Sequence, residues 1–183
     1  MRIFVFLLAM LGVGAAHAAT VTVDFHEFEG LTGNNLGSPV VSQGYSFVSE
    51  AGFLVFGDVA IVPCPDCTMT ITNVAGEPFS LLSLDLRNLE FFGTGDAVVA
   101  VTGNYVAGGE VSMSLMLPAS ATTNFSFNSN WSGLQSVTFS AASTFSAIAY
   151  DNVVLSAVPI PAAAWLFVSA LAGLGWLRRK NAV

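Results

Sequence analysis

Between residues 19 and 157 the apolar residues fall in short segments that often alternate with polar ones, and no stripe of helical period appears; that pattern decides the fold class. Thr20-Val21-Thr22-Val23-Asp24-Phe25 places Val21, Val23 and Phe25 on one face of a strand. Segments of the same kind follow at 45–49, 53–56, 68–73, 79–92, 96–106, 110–117, 123–127, 134–140 and 145–155, rich in Val, Phe, Thr, Ser and Leu. Gly, Asn, Pro and Ser clusters separate them. Ala107-Gly108-Gly109 reads as a hairpin turn, after which Met113, Leu115 and Leu117 alternate with Ser112, Ser114 and Met116. About ten short strands with turn signals between them predict an all-β domain, an antiparallel two-sheet sandwich of jelly-roll-like type. No internal repeat and no second domain is visible.

The two ends obey a different rule. Met1–Ala18 carries a positive start at Arg2, an apolar run over Ile3–Val13, and the small-x-small triplet Ala16-His17-Ala18, so it reads as a signal peptide cut before Ala19. A buried N-terminal helix is the alternative, and the order of the three regions argues against it. The tail, 158–183, opens with Val158-Pro159-Ile160-Pro161, continues as an uncharged run over 162–177, and closes with Arg178-Arg179-Lys180. Sixteen helical residues reach about 24 Å, a little short of a typical hydrocarbon core, which local thinning accommodates. This predicts a transmembrane helix with its basic end cytoplasmic and the domain outside. An amphipathic helix packed on the domain fails because no face of the run is polar. The expected division is therefore 1–18, 19–157 and 158–183. These ends also explain a mean hydropathy of +0.69, which is a matter of routing.

The tail resembles the PEP-CTERM sorting signal of bacterial surface proteins, in its VPxPA form. Val158-Pro159-Ile160-Pro161-Ala162 carries the likeness, with Ile160 where the commonest form has Glu. The resemblance implies processing by an exosortase, a membrane-embedded cysteine peptidase, in a Gram-negative bacterium that makes exopolysaccharide. Several interior pieces are similar to the β-sandwich ectodomains of such proteins: Phe28-Glu29-Gly30, Gly44-Tyr45-Ser46-Phe47, the run 79–86, Val101-Thr102-Gly103, the run 134–139 and Tyr150-Asp151-Asn152-Val153. That architecture is in turn similar to carbohydrate-binding modules of jelly-roll type. In several of these an acidic residue of the first strand and an Asp of the last hold a structural Ca²⁺. The resemblance implies a calcium shared by Glu29 and Asp151, with Glu27 or Asp24 assisting; the alternative is that Asp151-Asn152 only hydrogen-bonds a loop.

Charge narrows the partners. Twelve acidic residues and a single base, Arg87, fall between 19 and 157, a net of −11 for the exported part against −7 for the whole chain. Nucleic acid and anionic lipid both need a basic surface and are disfavoured. Divalent cations and neutral glycans are compatible, and solubility alone is the plainer explanation.

Catalytic chemistry finds little footing. His26 is the only histidine after residue 18, and no Gly-x-Ser-x-Gly turn accompanies the many serines. Gly93-Thr94-Gly95 lacks the third glycine of a nucleotide loop. Glu27 and Glu29 form a carboxylate pair of the kind a glycan hydrolase needs, though any acidic domain contains such pairs. Cys64-Pro65-Asp66-Cys67 reads as a local disulfide in an exported protein; a redox centre would need a helix after the first Cys, and a zinc site two further ligands. Trp131, in the polar stretch Asn128–Gly133, and then Tyr105 are the candidates for stacking on sugar rings, unless Trp131 folds back to cap one end of the sandwich.

The expectation is thus an exported, non-catalytic cell-surface or matrix protein associated with exopolysaccharide. Signal peptidase, an exosortase and the membrane are its partners in processing. A specific carbohydrate-binding module is the alternative, and a glycan hydrolase the third reading.

Overall fold

In the computed structural model, residues 19–31, 33–55, 61–63, 67–89, 95–141 and 147–158 are described, and Ala19–Val158 forms one compact unit. Apart from Val158, the two predicted end segments, with Ala16, Ala18, Pro159, Ile160, Pro161, Arg178, Arg179 and Lys180, lie outside the described residues, as does Cys64. Among the described residues no helix is long and apolar enough to cross a membrane.

The unit is all-β. Its strands are β1 (Thr20–Val23), β2 (Val40–Ser42), β3 (Tyr45–Ser49), β4 (Phe53–Val55), β5 (Ile61–Pro63), β6 (Thr68–Asn73), β7 (Phe79–Asn88), β8 (Ala97–Tyr105), β9 (Glu110–Leu117), β10 (Thr122–Ser126), β11 (Leu134–Ala141) and β12 (Ile148–Ala157). All pair antiparallel, in two arrays. One runs β2-β3-β6-β11-β8-β9; the other places β7 between β10 and β12, with β1 and the β5-β4 pair on the far side of β12. A single register pair, Leu134 with Phe79, links the arrays.

The core between the arrays follows from alternation. Phe47, Met69, Ile71, Val99, Val101, Val137 and Phe139 point inward from the first array. Val23, Phe79, Leu81, Leu84, Leu86, Val153 and Leu155 meet them from the second. Edge-to-face ring pairs, Phe25 with Phe47 and Phe139 with Tyr150, bridge the layers at 5.0 and 5.4 Å. Strand β1 stops at Val23, and Phe25 reaches the core by a left-handed turn (φ 53°) rather than as the next strand residue.

The hairpin expected at Ala107-Gly108-Gly109 joins β8 to β9 over eight unbroken register pairs. Gly108 and Gly109 sit at φ 88° and 89°, which glycine alone adopts freely. Several strands differ in their bounds from the sequence reading: β1 ends at Val23, β7 ends at Asn88, β8 spans Ala97–Tyr105, and β12 begins at Ile148 and runs on to Ala157. Two further strands, β2 and β5, each of three residues, were not anticipated.

Candidate functional site

Two outward faces carry the polar side chains, and they differ in chemistry. On the first array the residues opposite the core are largely hydroxyls. Thr70 of β6 stands beside Thr138 of β11, which stands beside Thr102 of β8 and, through it, Ser112 of β9. A parallel row runs Ser46, Thr72, Ser136 and Asn104. A third holds Thr68, Ser140, Ala100 and Ser114. Thr70 Oγ1 and Thr138 Oγ1 lie 3.2 Å apart, and Asn104 Nδ2 donates to Ser136 Oγ at 3.2 Å, so neighbouring side chains hold one another in place. Strand spacing puts the rows' members about 4.8 Å apart, and successive rows about 6.6 Å apart along each strand. The second row ends in a charge, Glu110 at the start of β9 beside Asn104; the other row positions carry none.

On the second array the outward face is built of amides and carboxylates. Asp85 of β7 accepts from Asn124 Nδ2 at 2.8 Å through one oxygen and from Asn152 Nδ2 at 2.9 Å through the other. Asp151 is the register partner of Asp85. A bulge follows it, where Asn152 takes φ 46° and donates its backbone N–H to Asp151 Oδ1 at 2.7 Å. Burial, with the fixed anions Asp85 and Asp24 nearby, pushes the Asp151 carboxyl up to about 6, against the opposing pull of the Asn152 N–H and His26. Asp24 moves the other way, held below its ordinary value chiefly by the His26 backbone N–H, with the His26 ring 3.1 Å from its second oxygen.

The raised value has a consequence for stability. Below pH 3.8 Asp151 is protonated in both folded and unfolded chains; its contribution is full there and is lost as pH rises through about 6. Asp151→Asn keeps an acceptor for the Asn152 N–H and removes the charge. Discounted for partial exposure, it should gain about 1 kcal/mol at pH 7.5 and nothing near pH 3.5. Urea midpoints at the two pH values test this; equal gains at both would remove ionisation as the cause.

The residues singled out from sequence are placed as follows. Glu27 lies in an exposed 3-10 turn, His26–Phe28, and Glu29 follows it in solvent. The acidic neighbours that act on Asp151 are Asp85 and Asp24. Among the described residues no three His, Cys, Asp or Glu side chains gather as a metal site. Cys67 is disulfide-bonded. Val158 donates its backbone N–H to Pro78 O at 3.1 Å, which ties the exit of the unit down.

Trp131 is not a surface ring. It is 3% exposed, at the end of a 3-10 turn (Ser129–Trp131), and packs edge-to-face on Phe127 at 4.9 Å. It caps the end of the sandwich, the alternative weighed for it. Tyr105 is half-buried, and its hydroxyl donates to Asn130 O at 2.6 Å, fastening the hairpin to that turn. The large hydrophobic side chains left exposed among the described residues are Leu, Val and Met, with no aromatic ring. Asp85, Asn124 and the hydroxyl rows were not anticipated. The run Thr68-Met69-Thr70-Ile71-Thr72 does show hydroxyls at every second position, but not which strands lie beside it.

No family model matches the chain, and no curated protein does. Solved structures do match in fold. A family 29 carbohydrate-binding module superposes with a TM-score of 0.50 at 15% identity, covering 77% of this chain and 90% of that one. A family 29 module from Piromyces equi gives a TM-score of 0.48 at 12% identity, covering 78% and 93%. At these identities the likeness is one of fold.

Proposed function

We propose that this chain is a non-catalytic carbohydrate-binding protein, exported and displayed at the bacterial surface, that takes neutral polysaccharide on the hydroxyl rows of the β3-β6-β11-β8-β9 face. The observation that carries the reading is that face: rows dominated by hydroxyls and running over five strands, with Glu110 their one charge, in a domain of net charge −11. A neutral polyol exchanges its water hydrogen bonds for protein ones there without placing an ion in contact with it. An anionic polymer is repelled by the acidic remainder, and a cationic one finds a single carboxylate, Glu110, at the end of one row. The fold shared with a protein described as a carbohydrate-binding module supports the same reading. The signal peptide, the PEP-CTERM-like tail and an exosortase supply the route outward in this proposal, and the matrix polysaccharide is the ligand met there.

The test uses protein recovered from the producing cell, whose mass reports the routing. A species beginning at Ala19 and ending near Val158 is expected, and an intact C-terminus would remove the exosortase step. Electrophoresis through gels containing neutral glucan, mannan or galactan should retard it, whereas alginate should not. Thr70→Glu/Thr102→Glu should weaken the retardation at least about tenfold, with the buried Trp131 emission unchanged as the sign of an intact fold. Full binding by the double variant, or equal retardation by alginate, would overturn the assignment to this face.

A further inference from the structure

Strand β9 ends the first array, and among the described residues it pairs with β8 alone. Edge strands are normally blunted by proline, inward charges, bulges or brevity, because unpaired N–H and C=O groups recruit another strand. Here none of these devices is present. Glu110–Leu117 runs eight residues in unbroken register with β8, without proline or a basic residue. Its inward-facing side chains are Val111, Met113, Leu115 and Leu117. The last two are fully covered, but Met113 is 38% exposed although it points to the core side. The apolar layer is thus left open along the first half of this edge.

We propose that the free edge of β9 pairs antiparallel with β9 of a second copy, about a two-fold axis through Met113. A two-fold that extends the sheet must match inward residues with inward and outward with outward. Centred on Met113, Met113 meets its own copy, Val111 meets Leu115, Ser112 meets Ser114, and Glu110 meets Met116. Apolar residues meet apolar on the core side, hydroxyls meet hydroxyls outside, and no like charges are opposed. A register centred on Ser114 would instead spend the contact on Leu115 and Leu117, already covered by their own core. Ser112 beside Ser114 of the other copy continues the hydroxyl rows across the junction, giving one platform of twice the width. The pairing rests on the edge itself and stands independently of what that platform binds. Because each domain carries a net charge of −11, added salt strengthens it.

Engineered cysteines read the register directly. Paired residues on antiparallel strands have Cα atoms about 4.5–5.5 Å apart, within disulfide reach. The full chain carrying Met113→Cys should run as a disulfide-linked dimer on a non-reducing gel. Met116→Cys, more exposed but opposite Glu110, should stay monomeric, and Glu110→Cys/Met116→Cys should cross-link again. Adding Ser112→Lys/Ser114→Lys to the Met113→Cys chain opposes like charges in the dimer alone and should lower the cross-linked fraction severalfold. A monomeric Met113→Cys chain with wild-type melting, or equal cross-linking through Met116→Cys, overturns the proposal.

Discussion

Trp131→Ala is expected to cost about 3–5 kcal/mol of folding stability while leaving glycan affinity per folded molecule unchanged. The magnitude follows from what the indole fills. It is 3% exposed, meets Phe127 at 65° with centroids 4.9 Å apart, and lies beneath Gly103 of β8. The turn that carries it is already fixed at both ends. Asn128 caps it by accepting from Asn130 N at 3.0 Å, and Tyr105 holds Asn130 O. A turn so anchored has little freedom to collapse into the space, so most of the indole's volume remains as a cavity. Urea denaturation followed by circular dichroism measures the loss, and gel retardation at a permissive temperature measures binding. Selective loss of binding with stability intact would instead make the ring a ligand contact.

Trp131 also marks the limit of what the residues alone disclose. A tryptophan in Asn128-Ser129-Asn130-Trp131-Ser132-Gly133 stands among polar neighbours, and local composition says surface. Its burial comes from the end of β8 and from Phe127, partners that only the folded chain brings together. The strands were legible for the opposite reason: Tyr45–Ser49, Thr68–Asn73 and Glu110–Leu117 show their period within five to eight residues, and their observed bounds coincide with the expected ones. The outward face lies between these cases. Thr68, Thr70 and Thr72 announce a hydroxyl-bearing side, yet the rows exist only because β6 lies beside β11 and β11 beside β8, pairings between strands far apart in the chain. Asp151 was legible as a candidate, and so was Asp24, but Asp85 was not. Asp85 sits in a run of leucines and serines, and the bulge at Asn152, which sets how β12 faces it, has no sequence signal beyond a residue that tolerates φ > 0.

Gly103→Val is expected to destabilise the domain by about 1–3 kcal/mol, and by much less when Trp131 is already alanine. Glycine inside a strand weakens it locally, so its place within the β8-β11 register, near the end of β8, calls for a steric reason. A Cβ built at Gly103 would meet Leu134 Cδ2 at 3.0 Å, Val111 Cγ1 at 3.1 Å and Trp131 Cζ3 at 3.2 Å. All three are side chains, and two are hemmed in: Leu134 is fully buried and Trp131 is nearly so. Valine adds two methyl groups beyond that Cβ, so the indole or Leu134 must leave its rotamer. The better strand propensity of valine offsets part of this but stays near 1 kcal/mol at most. Removing the indole opens the space those methyl groups need, which is why the two substitutions should couple by about 1 kcal/mol or more in a double-mutant cycle. Additive effects would mean that the glycine makes room for Leu134 and Val111 instead. The end of the sandwich would then be closed by the strands themselves, with Trp131 only lying over them.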